Sequence, residues 1–238
     1  FLQSQQDQSG DVGTILHRDK AVLIVPCDAP LITPQEVEHF IFHADMDRYD
    51  HVLGLVSREK LRHFYPQASK PGIKMAYLHI QVDSFRINNL HLVKPLRIEN
   101  REYIQKMYQY RYQRNFKNLV LFGLSVFGKD KAKHYKNYIG LQLCLFFGGL
   151  GLEFVVDYFR KLNPKKELEE SISTIMKTRF SALEVPFPGA ALDIDNAKDY
   201  EAMKSRFEEW QEYLKAAPLT SIEAVSYTHL TLPTTPYV

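Results

Sequence analysis

Asp28 is the carboxylate in this chain best placed to meet a metal ion or a phosphate. It follows Ala21-Val-Leu-Ile-Val25, a short apolar, β-branched run that reads as a strand buried on both faces. Thr33 then offers an N-cap, Pro34 suits the first helical position and Glu36 completes a capping box. Ligands of open α/β sheets collect outside the carboxyl ends of the strands, and a strand-to-helix aspartate lies there. The competing reading is a turn aspartate that satisfies nearby backbone amides. Cys27 adjoins it without any Cys-His signature and reads as a small residue packed at a strand end. The histidines show no H-E-x-x-H or zinc-type spacing, and neither a Walker loop nor G-x-S-x-G is present.

Three segments carry a resemblance. Val25-Pro-Cys-Asp28-Ala-Pro-Leu31-Ile-Thr-Pro resembles the strand, x-x-D-x-P-L-x-T/S-P element of nucleotidyltransferases of the molybdenum-cofactor guanylyltransferase type. In that family the aspartate binds the divalent metal that bridges the nucleotide phosphates, so the resemblance implies a catalytic, metal-holding Asp28. Leu192-Asp193-Ile-Asp195-Asn196-Ala-Lys-Asp199-Tyr-Glu201 resembles the closing D/N-I-D/N-T-P-E-D element. It implies a second metal ligand, either Asp193 or Asp195. Asn-Ala-Lys stands where the family has Thr-Pro-Glu, which predicts a less typical helix start. Phe85-Arg86-Ile-Asn88-Asn89-Leu90-His91-Leu-Val93-Lys94-Pro95 resembles the strand that lines the acceptor pocket. Asn88 and Asn89 would then hydrogen-bond the acceptor, the alternative being an Asn pair in a turn or strand bulge. Arg86, Lys94 and Lys74 are candidate phosphate partners, or else solvated surface cations.

The implied cofactor is Mg²⁺ or Mn²⁺, since a hard divalent ion that keeps several waters needs only two carboxylates plus phosphates. The implied reaction moves a nucleoside monophosphate from an NTP to a phosphorylated small-molecule or lipid-precursor acceptor and releases pyrophosphate. Such a transfer relies on positioning and charge neutralisation more than on covalent help. Two alternatives stay open: a glycosyltransferase with a nucleotide-sugar donor, and a non-catalytic interaction protein that keeps the fold. The resembled family also carries a glycine-rich Leu-Ala-Gly-Gly loop after its first strand, and no such loop occurs here. We therefore expect an N-terminally truncated piece of a longer protein, itself inactive. Val225–Val238 back-translates to a transposase-type adapter and is expected to be non-native.

These residues need a scaffold, and the pattern predicts an α/β fold. The expectation is a mixed, mainly parallel sheet flanked by helices, glycosyltransferase-A-like, with a helical insertion. Residues 1–100 would be a partial core, 101–165 an apolar helical insertion, and 166–224 the rest of the core with its terminal helix. Strands are predicted at Ala21–Val25, His51–Val56, Ile73–Val82 and Phe85–Val93, the last two joined as a hairpin at Asp83-Ser84. Helices are predicted at Pro34–His43, Glu59–Phe64, Arg101–Asn115, Leu168–Phe180 and Asp199–Ala216. Tyr200, Met203, Phe207, Trp210 and Leu214 form a stripe on the last of these, read as core packing.

The basic-aromatic helix from Arg101 reads as cationic stems lying over the core, with base stacking as the alternative. The apolar stretches within 119–156 allow three readings: a buried hairpin, a homo-oligomer interface, or a pair of helices pressed on a membrane surface. The 238 residues carry a net charge of +2, which gives no electrostatic case for nucleic acid. Two cysteines make no disulfide framework, as expected in a reducing cytoplasm.

Overall fold

The computed structural model describes residues 17–102, 104 and 132–216. Its strands are β1 (Val22–Ile24), β2 (His51–Ser57), β3 (Leu78–His79), β4 (Ser84–Val93) and β5 (Phe180–Glu184). Its α-helices are α1 (Pro34–His43), α2 (Arg58–Leu61), α3 (Ala132–Gly149), α4 (Glu153–Phe159), α5 (Lys165–Met176) and α6 (Ala197–Ala216). The helix expected over 101–115 and the apolar stretch 119–127 lie almost wholly outside the described residues, as does the C-terminal tail.

The sheet runs β1-β4-β2-β5, with β3 paired to the start of β4. It is mixed and helix-flanked, as the sequence predicts, but its balance differs. β4 pairs antiparallel with β1, β2 and β3, and only β2 and β5 are parallel. Alternation sorts the side chains into two cores. Val52, Leu90 and Leu92 meet Phe40 and Ala44 of α1, while Leu55, Phe85, Phe180 and Ala182 meet Leu168 and Ile172 of α5. Met203, Trp210, Phe207 and Leu214 of α6 pack on Val56, Leu61 and Phe64, so the stripe is core. Tyr200 is the exception and is exposed.

Several expectations need correction. Val22 and Ile24 are about half exposed, not buried on both faces, because β1 is an edge strand among the described residues. Only Leu78 and His79 of the Ile73–Val82 run pair as strand, and the turn into β4 is Ile80–Asp83, closed by the Ile80 amide on the Asp83 carbonyl. α5 stops at Met176 because Lys177 adopts a left-handed conformation (φ 46°), and Phe180 already belongs to β5. In 139–156 the inner side is buried at Cys144 and Val156, whereas Phe146, Leu150 and Phe154 face solvent. No helix among the described residues is long and apolar enough to cross a membrane.

β4 carries a bulge where Leu53 pairs with His91 but Leu55 pairs with Ile87. Asn88 and Asn89 take up the extra length. Asn89 is left-handed (φ 58°), and Asn88 Oδ1 accepts from the Leu90 amide at 3.1 Å. An ideal Cβ on Gly54 would lie 1.9 Å from Asn88 Oδ1, so glycine is required there.

Just past the bulge, His51 Nε2 and His91 Nδ1 meet at 3.1 Å, with Phe180 edge-on to His51 at 5.1 Å. That hydrogen bond needs one ring nitrogen to accept, so both rings cannot be charged. Burial, with the His91 charge second, lowers His51 to about 4. A lowered folded-state pKa gives stability that is complete above the unfolded value near 6.5 and is lost as pH falls towards 4. Urea unfolding should therefore show wild type losing on the order of 3 kcal/mol relative to His51→Gln between pH 6.5 and pH 4. Parallel pH profiles for the two proteins would contradict this.

Candidate functional site

The chain leaves β1 through Val25, Pro26 and Cys27 and reaches Asp28, whose side chain is exposed. The Asp28 carbonyl accepts from the Ile194 amide at 3.0 Å. That bond joins the first acidic segment to the Asp193–Asp195 segment, which follows β5. Both lie at the carboxyl-end side of the parallel strands, where ligands of α/β sheets bind. The structure thus brings together the two ends of the sequence that carry the acidic motifs.

α1 starts as its sequence predicts. Thr33 Oγ1 accepts the Glu36 amide at 3.2 Å, and Pro34 opens the helix. Glu36 also does something the capping pattern does not reveal. It is fully buried, and both its carboxyl oxygens lie within 3.1 Å of the Ala190 amide. The amides of Thr33 and Gly189 also face it. Gly189 has no room for a side chain, because an ideal Cβ would sit 2.3 Å from the Leu31 carbonyl oxygen and 2.6 Å from Glu36 Oε2. Burial raises the Glu36 carboxyl to about 8, partly opposed by those amides. Glu36 is therefore an uncharged plug between the Asp28 loop and the turn Gly189–Ala191.

Arg86 of β4 holds the other side of that turn. Its Nε donates to the Ala191 carbonyl at 2.8 Å, and its terminal nitrogen donates to Asp193 Oδ1 at 2.5 Å. Asp193 is buried in this pair, while Asp195, two residues on, is exposed. Asn196 caps α6: its Oδ1 accepts the amides of Lys198 and Asp199, and its Nδ2 donates to Asp199 Oδ2 at 2.6 Å. The helix start is therefore a regular Asn-x-x-Asp cap rather than an atypical one. Burial, together with the charges of Asp195 and Asp193, pushes the Asp199 carboxyl above its usual range, against the Asp195 amide and Arg86.

The remaining sequence candidates lie elsewhere. Asn88 is fully buried in the bulge with its Nδ2 unpartnered among the described residues, and Asn89 beside it is half-buried. Lys94 is at the other end of β4, eight residues or roughly 25 Å from Arg86. There its Nζ donates to the Met46 carbonyl at 2.6 Å and lies 3.9 Å from Asp50 Oδ1. Arg179 holds that same Asp50 through two hydrogen bonds of 2.7 and 2.6 Å. Lys74 is exposed. Glu36 and Asp199 are the residues that sequence reasoning passed over. The cap pattern at Asn196–Asp199 signals the second, but no local signal reports that Glu36 reaches Ala190.

Among the described residues no three His, Cys, Asp or Glu side chains are grouped to hold a metal ion. Asp28 and Asp195 are exposed oxygen donors, the ligand type that a hard divalent ion takes. Asp193 fits less well, because Arg86 already occupies one of its oxygens.

No protein-family model matches the chain, and no curated protein matches it. A solved structure described as a hypothetical transferase from Thermus thermophilus superposes with a TM-score of 0.52 at 20% identity. The match covers 75% of this chain and 62% of that one. The likeness is one of fold. It agrees with a mixed α/β sheet flanked by helices.

Glu36→Gln tests the plug. A raised carboxyl pKa means that stability falls as pH rises from about 4.5 towards 8, since the unfolded chain ionises first. The neutral amide keeps the shape without that penalty. Relative to wild type, Glu36→Gln should gain on the order of 3 kcal/mol between pH 5 and pH 8 in urea unfolding. A pH-independent difference would show Glu36 to be an ordinary charged carboxylate.

Proposed function

We propose that this chain is part of a transferase of the nucleotidyl type, which moves a nucleoside monophosphate from an NTP to a phosphorylated acceptor. The observation that supports the reading most is the bond from the Ile194 amide to the Asp28 carbonyl, which seats two acidic segments side by side. The transferase description of the structural neighbour agrees with it at a coarser level.

Asp28 and Asp195 would hold Mg²⁺ or Mn²⁺. That ion would neutralise charge on the α-phosphate and on the departing pyrophosphate. Asp193 acts through Arg86: the pair fixes the turn that presents Asp195 and keeps the guanidinium from drifting onto the metal ligands. Asp199, capped by Asn196, stands next to Asp195 at the start of α6. Of the asparagine pair, Asn89 has surface to offer an acceptor, whereas Asn88 belongs to the bulge. Lys94 takes no part, because it braces Asp50 at the far end of the sheet.

Paramagnetic resonance with Mn²⁺ is the direct test, titrated with and without each of the four NTPs. One NTP should tighten Mn²⁺ binding, and Asp28→Asn and Asp195→Asn should each weaken the ternary complex about tenfold or more, a loss of about 1.4 kcal/mol. Cys27→Ala should leave it unchanged. Mn²⁺ binding that ignores both aspartate variants, or that no NTP affects, would overturn the reading.

A further inference from the structure

We propose that the outer face of the α3–α4 hairpin is the contact between two copies of this chain. The hairpin is anchored on its inner side. Cys144 and Val156 are buried there, Phe147 and Phe159 stack at 5.8 Å, and Asn163 Nδ2 donates to the His79 carbonyl at 3.0 Å. Arg58 clamps the start of α4 with two hydrogen bonds to Glu153, of 3.2 and 3.0 Å. Among the described residues the outer side is apolar and exposed. Ile139 and Phe146 are seven residues apart, on one stripe of α3, and exposed Leu150 is in the turn just past its end. Phe154 and Tyr158 stand one turn apart on α4, 75% and 68% exposed.

A second copy has the area to cover this face. With each ring presenting about 150–250 Å² when free, the five side chains leave on the order of 600 Å² of apolar surface in solvent. That equals or exceeds the largest patch on a typical monomer and is most of the roughly 800 Å² per partner of a stable interface. The rim carries both signs. Asp157 lies 3.4 Å from Arg160, with Lys161 next to it in sequence, and Glu153 is held by Arg58. A two-fold axis places unlike charges of such a rim opposite one another. Two hairpins meeting face to face would form a helix bundle, which needs no segment from outside the described residues.

Sedimentation velocity of the full chain between about 1 and 100 µM decides the matter, in the range where a standard-size interface associates. Wild type should shift from monomer to dimer. Phe154→Asp with Tyr158→Asp should weaken association by tenfold or more while circular dichroism and melting temperature stay unchanged, since both side chains are exposed. Val22→Asp, at an exposed apolar position of β1, should leave the dimer intact. A monomer throughout would overturn the proposal, as would a dimer that survives the double variant or dissolves with Val22→Asp. Co-sedimentation of a monomer with phosphatidylserine vesicles would also overturn it and give the face to lipid.

Discussion

The contact between Glu36 and the Ala190 amide holds this molecule's functional end together. A carboxyl group taken wholly out of water loses several kcal/mol of hydration unless it is neutralised or hydrogen-bonded. Glu36 does both: burial keeps it protonated at neutral pH, and backbone amides from two distant segments converge on it. The fully packed Gly189 leaves no slack, so the turn before Asp193 cannot move without exposing Leu31 or displacing the carboxyl. Through this one group, the helix that follows Asp28 and the loop that carries Asp193 and Asp195 move as a unit. The Arg86–Asp193 pair secures the same turn from the sheet side, and a buried pair of this kind is costly to break from either end.

The two ends of the sheet are built on different principles. At the amino ends of β2 and β5, Asp50, Arg179 and Lys94 satisfy one another, and the Arg179 guanidinium holds Asp50 below its ordinary carboxylate range. At the carboxyl ends, Asp195 is exposed beside the buried Arg86–Asp193 pair and next to Asp199, whose carboxyl is pushed above its usual range. The first arrangement is complete and needs nothing added. The second leaves Asp28 and Asp195 open to solvent.

How much of this was legible depended on range. The Asp28 loop and α1 could be read because strand, cap and helix signals all fall within a few residues of one another. The core stripe of α6 was legible for the same reason, its period being local. The bulge was partly legible, since an Asn pair inside a strand pattern signals either a turn or a bulge, and Gly54 across the ladder decided which. Strand direction was not legible, because a buried apolar run looks the same in parallel and antiparallel pairing. Nor was the partner of Glu36, since the capping box explains that residue fully without it. Lys94 shares a strand with Arg86, but sequence proximity does not tell which end of the strand meets the ligand.

The most direct measurement is the titration of the Glu36 side-chain carboxyl by carbon NMR in the folded protein, followed through its own resonance. The account predicts a midpoint near 8, several pH units above that of an exposed glutamate, with the Ala190 amide shifting at the same pH. A midpoint near 4.5 in a chain that stays folded would mean that Glu36 is solvated. The two acidic segments would then lack the plug that joins them.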